Sequence, residues 1–517
     1  MSSSAPETAR AATEPRNARI VVILSFLLVL AFGLWGLVAP DGMTSASVGM
    51  VNFILDSVGW LYLTLCTGFI IIAAALALGP YGRVRLGPDD SRPEFSTASW
   101  LAMLFAGGMG AGLVFWGVAE PVTHFAHPPG SIEGHTPASA RLAMVITNLH
   151  WGLHAWSIYA VCALVLAYFM FRRGMPGMIS TPIRATLPAS TGTRVLGVTS
   201  DVVAVFAVVF GLAGSLVMGV LQVRAGINEV FGLQPTTALS VFILAVLAVS
   251  FMISASTGLS KGIQILSNLN MLLVMILLGV VLVFGPTAYI MEAFVNGIGD
   301  YLSALPAFSF RLWSYENQMA WTNGWTLTYL IWWVAWGPFV GIFIARISRG
   351  RTIREFCLGV IVLPTVFSLF WFAALGGTGI WVELNGSGGL AALVSEDIAT
   401  ALFVFLDFMP FGTLLGAMAI FLIFIFLVTS ADSGTFVISM MTSEGRLNPR
   451  TSLKLAWGTA ITLLTLTILL SGSVEVAKAM AAFGAVPFTL ILVLQLVAFL
   501  RALREEPAGQ RAQQEAA

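Results

Sequence analysis

The chain of 517 residues is 58% hydrophobic and only 10% charged, with equal numbers of basic and acidic residues and no net charge. Soluble domains carry about 25% charged residues, so this composition excludes an ordinary soluble enzyme, and the charge balance does not indicate nucleic acid as a partner. Because a bilayer core needs roughly 20 apolar residues per helix, the length predicts an all-α polytopic membrane protein with about a dozen spans, embedded in lipid.

Twelve apolar runs of spanning length follow a polar segment, residues 1–19, that we expect to be a short disordered tail. The runs cover residues 20–38, 60–78, 100–118, 145–171, 202–231, 237–256, 263–284, 325–345, 356–382, 411–441, 453–470 and 474–500. Between the seventh and eighth runs, residues 287–324 are expected to form an outside loop with an interfacial helix. An even number of spans places both termini on one side.

The positions of the basic residues predict which side that is. Lys and Arg accumulate in cytoplasmic loops. With the N-terminus inside, all 25 basic residues lie on the cytoplasmic side except Arg141, Arg224, Arg311 and Lys478. The sequence therefore predicts a multi-pass protein with both termini in the cytoplasm.

Helix-weakening residues lie near the middle of two runs: a glycine-rich stretch at 107–112 in the third, and Gly337 and Pro338 in the eighth. Breaks in a membrane helix are tolerated where protein or a watery cavity satisfies the freed backbone groups. Matching breaks in two halves are typical of inverted-repeat transporters. We therefore expect two five-helix repeats, helices 3–7 (98–286) and helices 8–12 (325–500), preceded by helices 1 and 2 (20–97) and followed by a tail (501–517).

Aromatic residues cluster in the fourth and eighth helices. On one continuous helix, Trp151, Trp156 and Tyr159 fall within an arc of roughly 140°, and Trp332, Trp333 and Trp336 lie near the middle of helix 8. Facing aromatic rings form a cage that attracts a quaternary ammonium by about 0.5 to 2 kcal/mol per desolvated contact. No carboxylate is expected within the cluster. The alternative is that these rings are packing or interfacial belt residues.

Helix 10 contains hydroxyl groups suited to a hard cation. Thr429 and Ser430, with backbone carbonyls released by helix breaks, would supply the oxygen ligands that sodium prefers. The alternative is that both hydroxyls bond back to the preceding turn of their own helix. Asp432 in the same run is costly inside a membrane, which makes it a candidate functional residue.

The remaining polar motifs do not favour a metal centre or an enzyme. His150 and His154 are four residues apart, and His124 and His127 precede them, but no carboxylate is expected to converge on them, so metal binding is disfavoured. No P-loop or hydrolase motif occurs. No disulfide is expected from the three widely spaced cysteines, Cys66, Cys162 and Cys357.

Four segments resemble the betaine/choline/carnitine transporter (BCCT) family: residues 108–121 (GMGAGLVFWGVAEP), 148–156 (NLHWGLHAW), 332–351 (WWVAWGPFVGIFIARISRGR) and 429–433 (TSADS). The resemblance covers essentially all the predicted helices. It implies a five-plus-five inverted-repeat (LeuT-like) transporter of the bacterial inner (plasma) membrane, often a homotrimer, that moves trimethylammonium compounds by alternating access.

The same resemblance implies individual site residues. The aromatic box of the family maps onto Trp151, Trp156, Tyr159 and Trp333, with Trp332 and Trp336 beside it and the glycine-rich stretch contributing Gly110 and Gly112. The principal sodium site maps onto the carbonyls of Ala106, Met109 and Phe426 and the hydroxyls of Thr429 and Ser430. Sodium is thus expected as the coupling ion, without a further metal or cofactor.

Three positions refine the expected substrate and coupling. In the family that this chain resembles, choline-type members carry an aspartate at the position of Gly112, so the glycine here favours a zwitterion such as glycine betaine. Sodium-independent exchangers of that family carry an arginine at the position of Met271, so the methionine here favours sodium coupling. The valine and leucine at Val208 and Leu212, where two threonines would be expected, put a second sodium site in doubt. The alternatives are a sodium-independent carnitine/betaine exchanger, or uptake of dimethylsulfoniopropionate or another compatible solute.

Overall fold

Long apolar segments dominate this sequence, and in the computed structural model they fold into helices. The structure describes residues 5–108, 110–257, 260–446 and 448–506, with side chains from residue 17 onward except those of 102, 105–108 and 260–264. Helix is the conformation that satisfies every backbone group within one segment, which a lipid environment requires. The all-α class is therefore confirmed.

The α-helices are numbered in chain order. The first ten are α1 (Ala5–Val38), α2 (Pro40–Leu78), α3 (Thr97–Gly108), α4 (Ala111–Ala126), α5 (Pro137–Trp151), α6 (Leu153–Ala167), α7 (Thr181–Thr186), α8 (Thr191–Phe231), α9 (Thr237–Thr257) and α10 (Ser260–Phe284). The others are α11 (Thr287–Phe308), α12 (Met319–Thr322), α13 (Thr328–Ile347), α14 (Ile353–Cys357), α15 (Leu363–Asn385), α16 (Leu390–Glu396), α17 (Ala401–Asp407), α18 (Gly412–Met441), α19 (Thr451–Leu469) and α20 (Val474–Arg504). π-helical turns lie at Tyr168–Arg172, Asn323–Leu327 and Leu358–Val362.

Within the described residues, eleven helical segments are long and apolar enough to cross a membrane. They are Asn17–Val38, Pro40–Leu78, Pro137–Arg172, Thr191–Phe231, Thr237–Thr257, Ile265–Phe284, Met319–Ile347, Ile353–Asn385, Gly412–Met441, Thr451–Leu469 and Val474–Arg504. The third predicted span is split into α3 and α4, each of them shorter than a bilayer requires. The count of twelve spans and the inverted repeat remain predictions.

The two predicted helix breaks have different outcomes. The glycine-rich stretch is interrupted between α3 and α4, where Gly110 is extended at φ −119° and ψ −168°. The break expected at Gly337 and Pro338 is wrong, because α13 continues through both residues. Packing explains the difference: α6, α8 and α20 all contact α13, and Pro338 removes only one backbone donor from a helix that they support on several sides.

A break that the sequence analysis missed separates α5 from α6 at Gly152. An ideal Cβ at this position would lie 2.4 Å from the carbonyl oxygen of Asn148 and 2.7 Å from Tyr301 Oη. The same hydroxyl accepts a hydrogen bond from the Leu153 amide at 2.9 Å. The prediction of one continuous helix carrying three aromatic residues is therefore wrong: Trp151 ends α5, whereas Trp156 and Tyr159 belong to α6.

The ends of the chain also differ from expectation. Residues 1–19 were expected to be a disordered tail, but α1 begins at Ala5. At the other end, Glu506 packs against the end of the span Pro137–Arg172: its carboxylate accepts from Arg172 Nη2 at 2.7 Å and from Tyr168 Oη at 2.8 Å. Charge pairing thus fixes the start of the predicted C-terminal tail.

The helices around the candidate site form the packed centre of the molecule. Within this group α8 contacts α20, α18 and α13, while α4 contacts α15 and α5. The spans Asn17–Val38 and Ile265–Phe284 are the most exposed, with only 28% of their apolar windows buried. The central helices are therefore positioned by one another rather than by lipid.

Candidate functional site

A cavity of about 750 Å³ lies among α4, α6, α8, α13 and α18. At one end it is lined by the predicted aromatic cage, and at the other it reaches the surface beside Glu94, Arg346 and Asn448, all exposed. Above the cage, Trp116 and Glu120 are fully buried. The cavity therefore opens on the side where the predicted cytoplasmic loops carry their basic residues.

The cage residues predicted from α5, α6 and α13 come together at the inner end of this cavity. The ring centroid of Trp333 lies 4.9 Å from that of Trp151 and 5.9 Å from that of Tyr159, both in edge-to-face geometry. Trp156 packs behind Tyr159 at a centroid distance of 5.8 Å and, unlike the other predicted cage residues, does not line the cavity. Trp332 stacks beside Trp333 at 6.3 Å. The structure thus unites five of the six predicted aromatic residues in one contact network.

The other predicted substrate residues line the same cavity. Trp336 lies one turn beyond Trp332 on α13, with Phe339 against its ring. Gly110 and Gly112 border the cavity at the start of α4, and an ideal Cβ at Gly112 would lie 3.5 Å from Trp151. A side chain at position 112 would therefore project toward the cage.

Hydrogen bonds fix the two central tryptophans. Trp333 Nε1 donates to the carbonyl oxygen of His150 at 2.8 Å, and Trp151 Nε1 donates to Glu120 Oε2 at 2.7 Å. The expectation that no carboxylate lies within the aromatic cluster is therefore wrong. Glu120 approaches the indole N–H edge of Trp151, whereas a cation binds to the ring face.

The rings of the cage touch one another. The centroids of Trp151 and Trp333 are 4.9 Å apart, with 76° between the ring planes. Tyr159 is likewise nearly perpendicular to Trp333, at 82°. The three rings are therefore adjoining walls that border the cavity, and a cation would bind to the ring faces rather than between the two tryptophans.

The sodium residues predicted on α18 line the same cavity. Phe426, Thr429 and Ser430 all border it. Thr429 Oγ1 donates toward the carbonyl oxygens of Ile425 at 3.0 Å and Phe426 at 3.1 Å, which is the back-bonding alternative. Back-bonding uses the hydroxyl proton and leaves the oxygen lone pairs able to accept a cation. Met109 lies outside the described residues, as does the side chain of Ala106, so their contribution stays a prediction.

Asp432 and Met271 were also singled out in the sequence. Asp432 is 4% exposed, borders the cavity and accepts a hydrogen bond from Ser254 Oγ at 3.3 Å. Met271 also borders the cavity. The intramembrane aspartate is thus placed at the cavity rather than in lipid.

The histidines are arranged differently from the expectation. A carboxylate does converge on two of them: ligand atoms of Glu120, His124 and His150 all lie within 4.8 Å of one another. However, His150 Nδ1 is only 2.6 Å from Glu120 Oε1, whereas two ligands each about 2.0–2.1 Å from a zinc ion lie more than about 3 Å apart. Glu120 and His150 are therefore hydrogen-bonded to each other, and His124 Nε2 lies 3.5 Å from the same carboxylate oxygen.

Sequence reasoning missed Glu120 as a site residue, although the signal was present. A carboxylate within an apolar run is a functional candidate by default, and that rule was applied to Asp432 only. It also missed Tyr329, whose ring is 5.8 Å from Trp151 and stacks on His150 at 4.8 Å. Periodicity does not reveal this contact, since it depends on how α13 crosses α5.

A helical bundle that encloses an aromatic-lined cavity open at one end is the architecture of a membrane transporter. Comparison with known proteins agrees. Residues 20–508 match the family model described as BCCT, betaine/carnitine/choline family transporter. The chain belongs to this family, and it is a transporter rather than an enzyme.

Several members of known description are similar over nearly the whole chain. A glycine betaine transporter, OpuD, of Bacillus subtilis is 42% identical over 92% of this chain and 92% of its own length. An ectoine/hydroxyectoine transporter of Virgibacillus pantothenticus is 40% identical over 92% of this chain and 94% of its own. A glycine betaine transporter of Acinetobacter baylyi is 37% identical over 96% of this chain and 74% of its own.

Proposed function

We propose that this protein imports glycine betaine, or a closely related onium zwitterion, across the bacterial inner membrane by sodium-coupled alternating access. The observation that carries the proposal is the contact network of Trp151, Trp333 and Tyr159 at the inner end of the cavity. A quaternary ammonium cannot donate hydrogen bonds, so aromatic faces are the groups suited to bind it. Two of the similar proteins are described as glycine betaine transporters.

The lining at Gly112 favours a zwitterion over choline. A side chain there would project toward Trp151, and glycine supplies no charge for a purely cationic substrate. A betaine brings its own carboxylate and needs no such partner. The ectoine transporter among the similar proteins gives a specific reason to include ectoine among the competitors.

Sodium coupling is supported by the oxygen atoms that face the cavity on α18. Thr429 and Ser430 border it together with Phe426, and hydroxyl and carbonyl oxygens are the ligands that a hard cation prefers. We expect Thr429→Ala to raise the sodium concentration needed for half-maximal uptake. Thr429→Ser, which keeps the hydroxyl, should retain the wild-type requirement. Equal sodium dependence in all three proteins would remove Thr429 from the ion site.

The shape of the cavity supports alternating access. One end reaches exposed residues beside the predicted cytoplasmic loops, while Trp116 and Glu120 close the opposite side. In this proposal the structure is the cytoplasm-facing conformation, and the opposite conformation opens between α4, α13 and α20.

The experiment is uptake of radiolabelled glycine betaine into proteoliposomes, with sodium or potassium outside and unlabelled choline, carnitine, dimethylsulfoniopropionate or ectoine as competitors. Saturable, sodium-dependent uptake supports the proposal, and the strongest competitor ranks the substrates. Uptake that is independent of external sodium but requires internal substrate would instead establish an exchanger.

A further inference from the structure

Three titratable side chains meet directly behind the cage. Glu120 and His124 are one turn apart on α4, His150 comes from α5, and all three are fully buried. Glu120 Oε1 lies 2.6 Å from His150 Nδ1 and 3.5 Å from His124 Nε2. We call these three residues the carboxylate–histidine cluster.

This cluster is bonded to both central tryptophans. The second oxygen of Glu120 accepts from Trp151 Nε1 at 2.7 Å, and the backbone carbonyl of His150 accepts from Trp333 Nε1 at 2.8 Å. The other ring nitrogen of His150, Nε2, lies 2.9 Å from Thr326 Oγ1. A change of charge in the cluster therefore acts on the groups that hold the two rings in place.

The polar atoms of the cluster leave room for one more proton. Both ring nitrogens of His124 are buried without a hydrogen-bond partner among the described residues, and Nε2 lies 3.5 Å from Glu120 Oε1. Both nitrogens of a protonated imidazole are donors. His124 can thus take a proton without breaking the bond between Glu120 and Trp151.

The charged and titratable groups around the cluster are few among the described residues. From α20, Lys478 places Nζ 4.4 Å from the centroid of Trp325, whose ring is 4.5 Å from that of His124. From α13, the phenol of Tyr329 stacks on His150. On α6, His154 bonds to Thr67 instead, at 3.3 Å.

Lys478 is itself paired with Glu475 Oε1 at 3.3 Å, and its ammonium lies over the rings of Trp116 and Trp325. A buried carboxylate is costly unless a positive charge or a proton compensates it. Among the described residues next to Glu120, the two imidazoles and the Tyr329 phenol are titratable, and an imidazole is the group of the three that becomes positively charged on taking up a proton.

We infer that Glu120, His124 and His150 form a proton-binding site and that a proton bound there lowers the affinity of the cage for a cationic headgroup. The inference rests on the proposed function, because it concerns the affinity of the same cage. It makes Glu120 a positioning residue: the carboxylate orients Trp151 and adds a nearby negative charge, which a proton on His124 neutralises.

The direction of the effect follows from charge. A cationic headgroup beside the cluster is attracted by an uncompensated carboxylate and loses that attraction once an imidazolium forms. At protein-like dielectric a unit charge change a few ångströms away is enough for an effect of about tenfold in affinity. Histidine is the side chain that takes up a proton most readily on mild acidification, so the KM for glycine betaine should rise as the pH falls.

The first test needs no substrate. A protonated imidazole quenches neighbouring indole fluorescence, and His124 lies against Trp325. We expect the tryptophan emission of the purified wild-type protein to fall on acidification between pH 8 and 5.5. His124→Gln should abolish this transition, and Glu120→Gln should shift or abolish it. The matched control is His127→Gln. His127 is exposed and follows closely after His124 in the chain, so this variant should behave like the wild type.

The second test measures uptake against pH at a fixed sodium gradient. Wild-type KM should rise about tenfold from pH 8 to pH 5.5, with a smaller change in maximal rate. Glu120→Gln, whose amide oxygen can still accept from Trp151, should show a raised KM that no longer depends on pH. Glu120→Asp keeps the charge and should restore part of the pH dependence, which a purely structural role would not predict.

The outcomes separate this inference from the proposed function. If the emission transition is present and depends on His124 but no betaine is transported, the proton site stands and the substrate proposal fails. If betaine uptake is normal but its KM is independent of pH, or if His124→Gln retains the full transition, the proton site is wrong. His124 makes neither of the hydrogen bonds to Trp151 and Trp333. The variant His124→Gln therefore tests the inference even if Glu120→Gln does not fold.

Discussion

The cage is built from single aromatic side chains, whose positions are set both by ring contacts and by hydrogen bonds from the indole N–H groups. Trp333 contacts Trp151 and Tyr159 through its ring while its N–H is bound to the backbone of α5. Motif resemblance singled out these rings together, and in the structure they lie in contact with one another. It could not identify Glu120, because the contact between Glu120 and Trp151 depends on how α4 and α5 pack.

Trp333→Ala should raise the KM for glycine betaine about tenfold, because it removes a cation–π face worth up to about 2 kcal/mol together with part of the cage wall. Initial uptake rates at varied betaine concentration measure this change. Trp60→Ala is the control, since Trp60 is 56% exposed on the lipid-facing side of α2. If both variants keep the wild-type KM, the ring does not contact the substrate.

The contact of Glu506 with Arg172 should depend on pH. Burial tends to raise the pKa of Glu506, but hydrogen bonds from Arg172 and Tyr168 outweigh it and hold the pKa below its ordinary value of 4.5. A carboxyl whose pKa is lower in the folded state stabilises the fold above the ordinary value, and this contribution is lost as the pH falls through the folded value.

We therefore expect the segment after α20 to be protected from protease at pH 7 and increasingly cleaved below about pH 4.5. Glu506→Gln should be cleaved already at pH 7, because it removes a buried charge-assisted bond worth about 1.5–3 kcal/mol. Glu505→Gln is the matched control: Glu505 pairs with Arg173 but is 68% exposed, and exposed pairs contribute little. Equal cleavage of the two variants would contradict this account.

At the scale of helices, hydropathy predicted the existence of the long segments but not where they bend. The glycine-rich stretch between α3 and α4 does break, with Gly110 in an extended conformation, and glycine is the residue least favourable inside a helix apart from proline. Pro338 does not break α13, because three helices support it, whereas a lone glycine divides α5 from α6 where Tyr301 comes too close for a Cβ. These outcomes depend on tertiary contacts that a local pattern does not contain.

The crossing of α4 and α15 depends on a glycine. An ideal Cβ at Gly117 would lie 2.8 Å from Trp371 Nε1, which donates to the carbonyl oxygen of Leu113 at 3.0 Å. Gly117→Ala should therefore destabilise the protein by about 1–3 kcal/mol, as overpacking usually does. We expect a lower apparent unfolding temperature in detergent.

Gly68 on α2 provides the comparison, since nothing lies within 4 Å of an ideal Cβ there. Gly68→Ala should be neutral or slightly stabilising, because alanine has the better helix propensity. A similar loss of stability in both variants would show that the tight contact at Gly117 is not the cause.

At the scale of the whole molecule, the cavity has one open end, and the distribution of basic residues predicts that this end faces the cytoplasm. Composition predicted the class of protein and the loops predicted its orientation. Neither predicts which conformation the bundle adopts, since that depends on small differences between alternative packings of the same helices.

Ser215→Cys, placed on the cavity wall, should react with a membrane-impermeant maleimide in inside-out vesicles and not in right-side-out vesicles. The native thiols, Cys66, Cys162 and Cys357, are all buried and should give little background. Gly299→Cys, on the exposed surface of α11, should show the opposite preference. Labelling of Ser215→Cys only from the outside would reverse the proposed orientation.

The contact between Trp151 and Trp333 bears on the conformational freedom of the cage. The two rings pack edge to face, an arrangement worth about 0.5–1.5 kcal/mol, and each indole N–H is held by a hydrogen bond. Side chains fixed in this way lose little rotational entropy when a ligand arrives. The walls of the cage are therefore preorganised for a cationic headgroup rather than assembled around it.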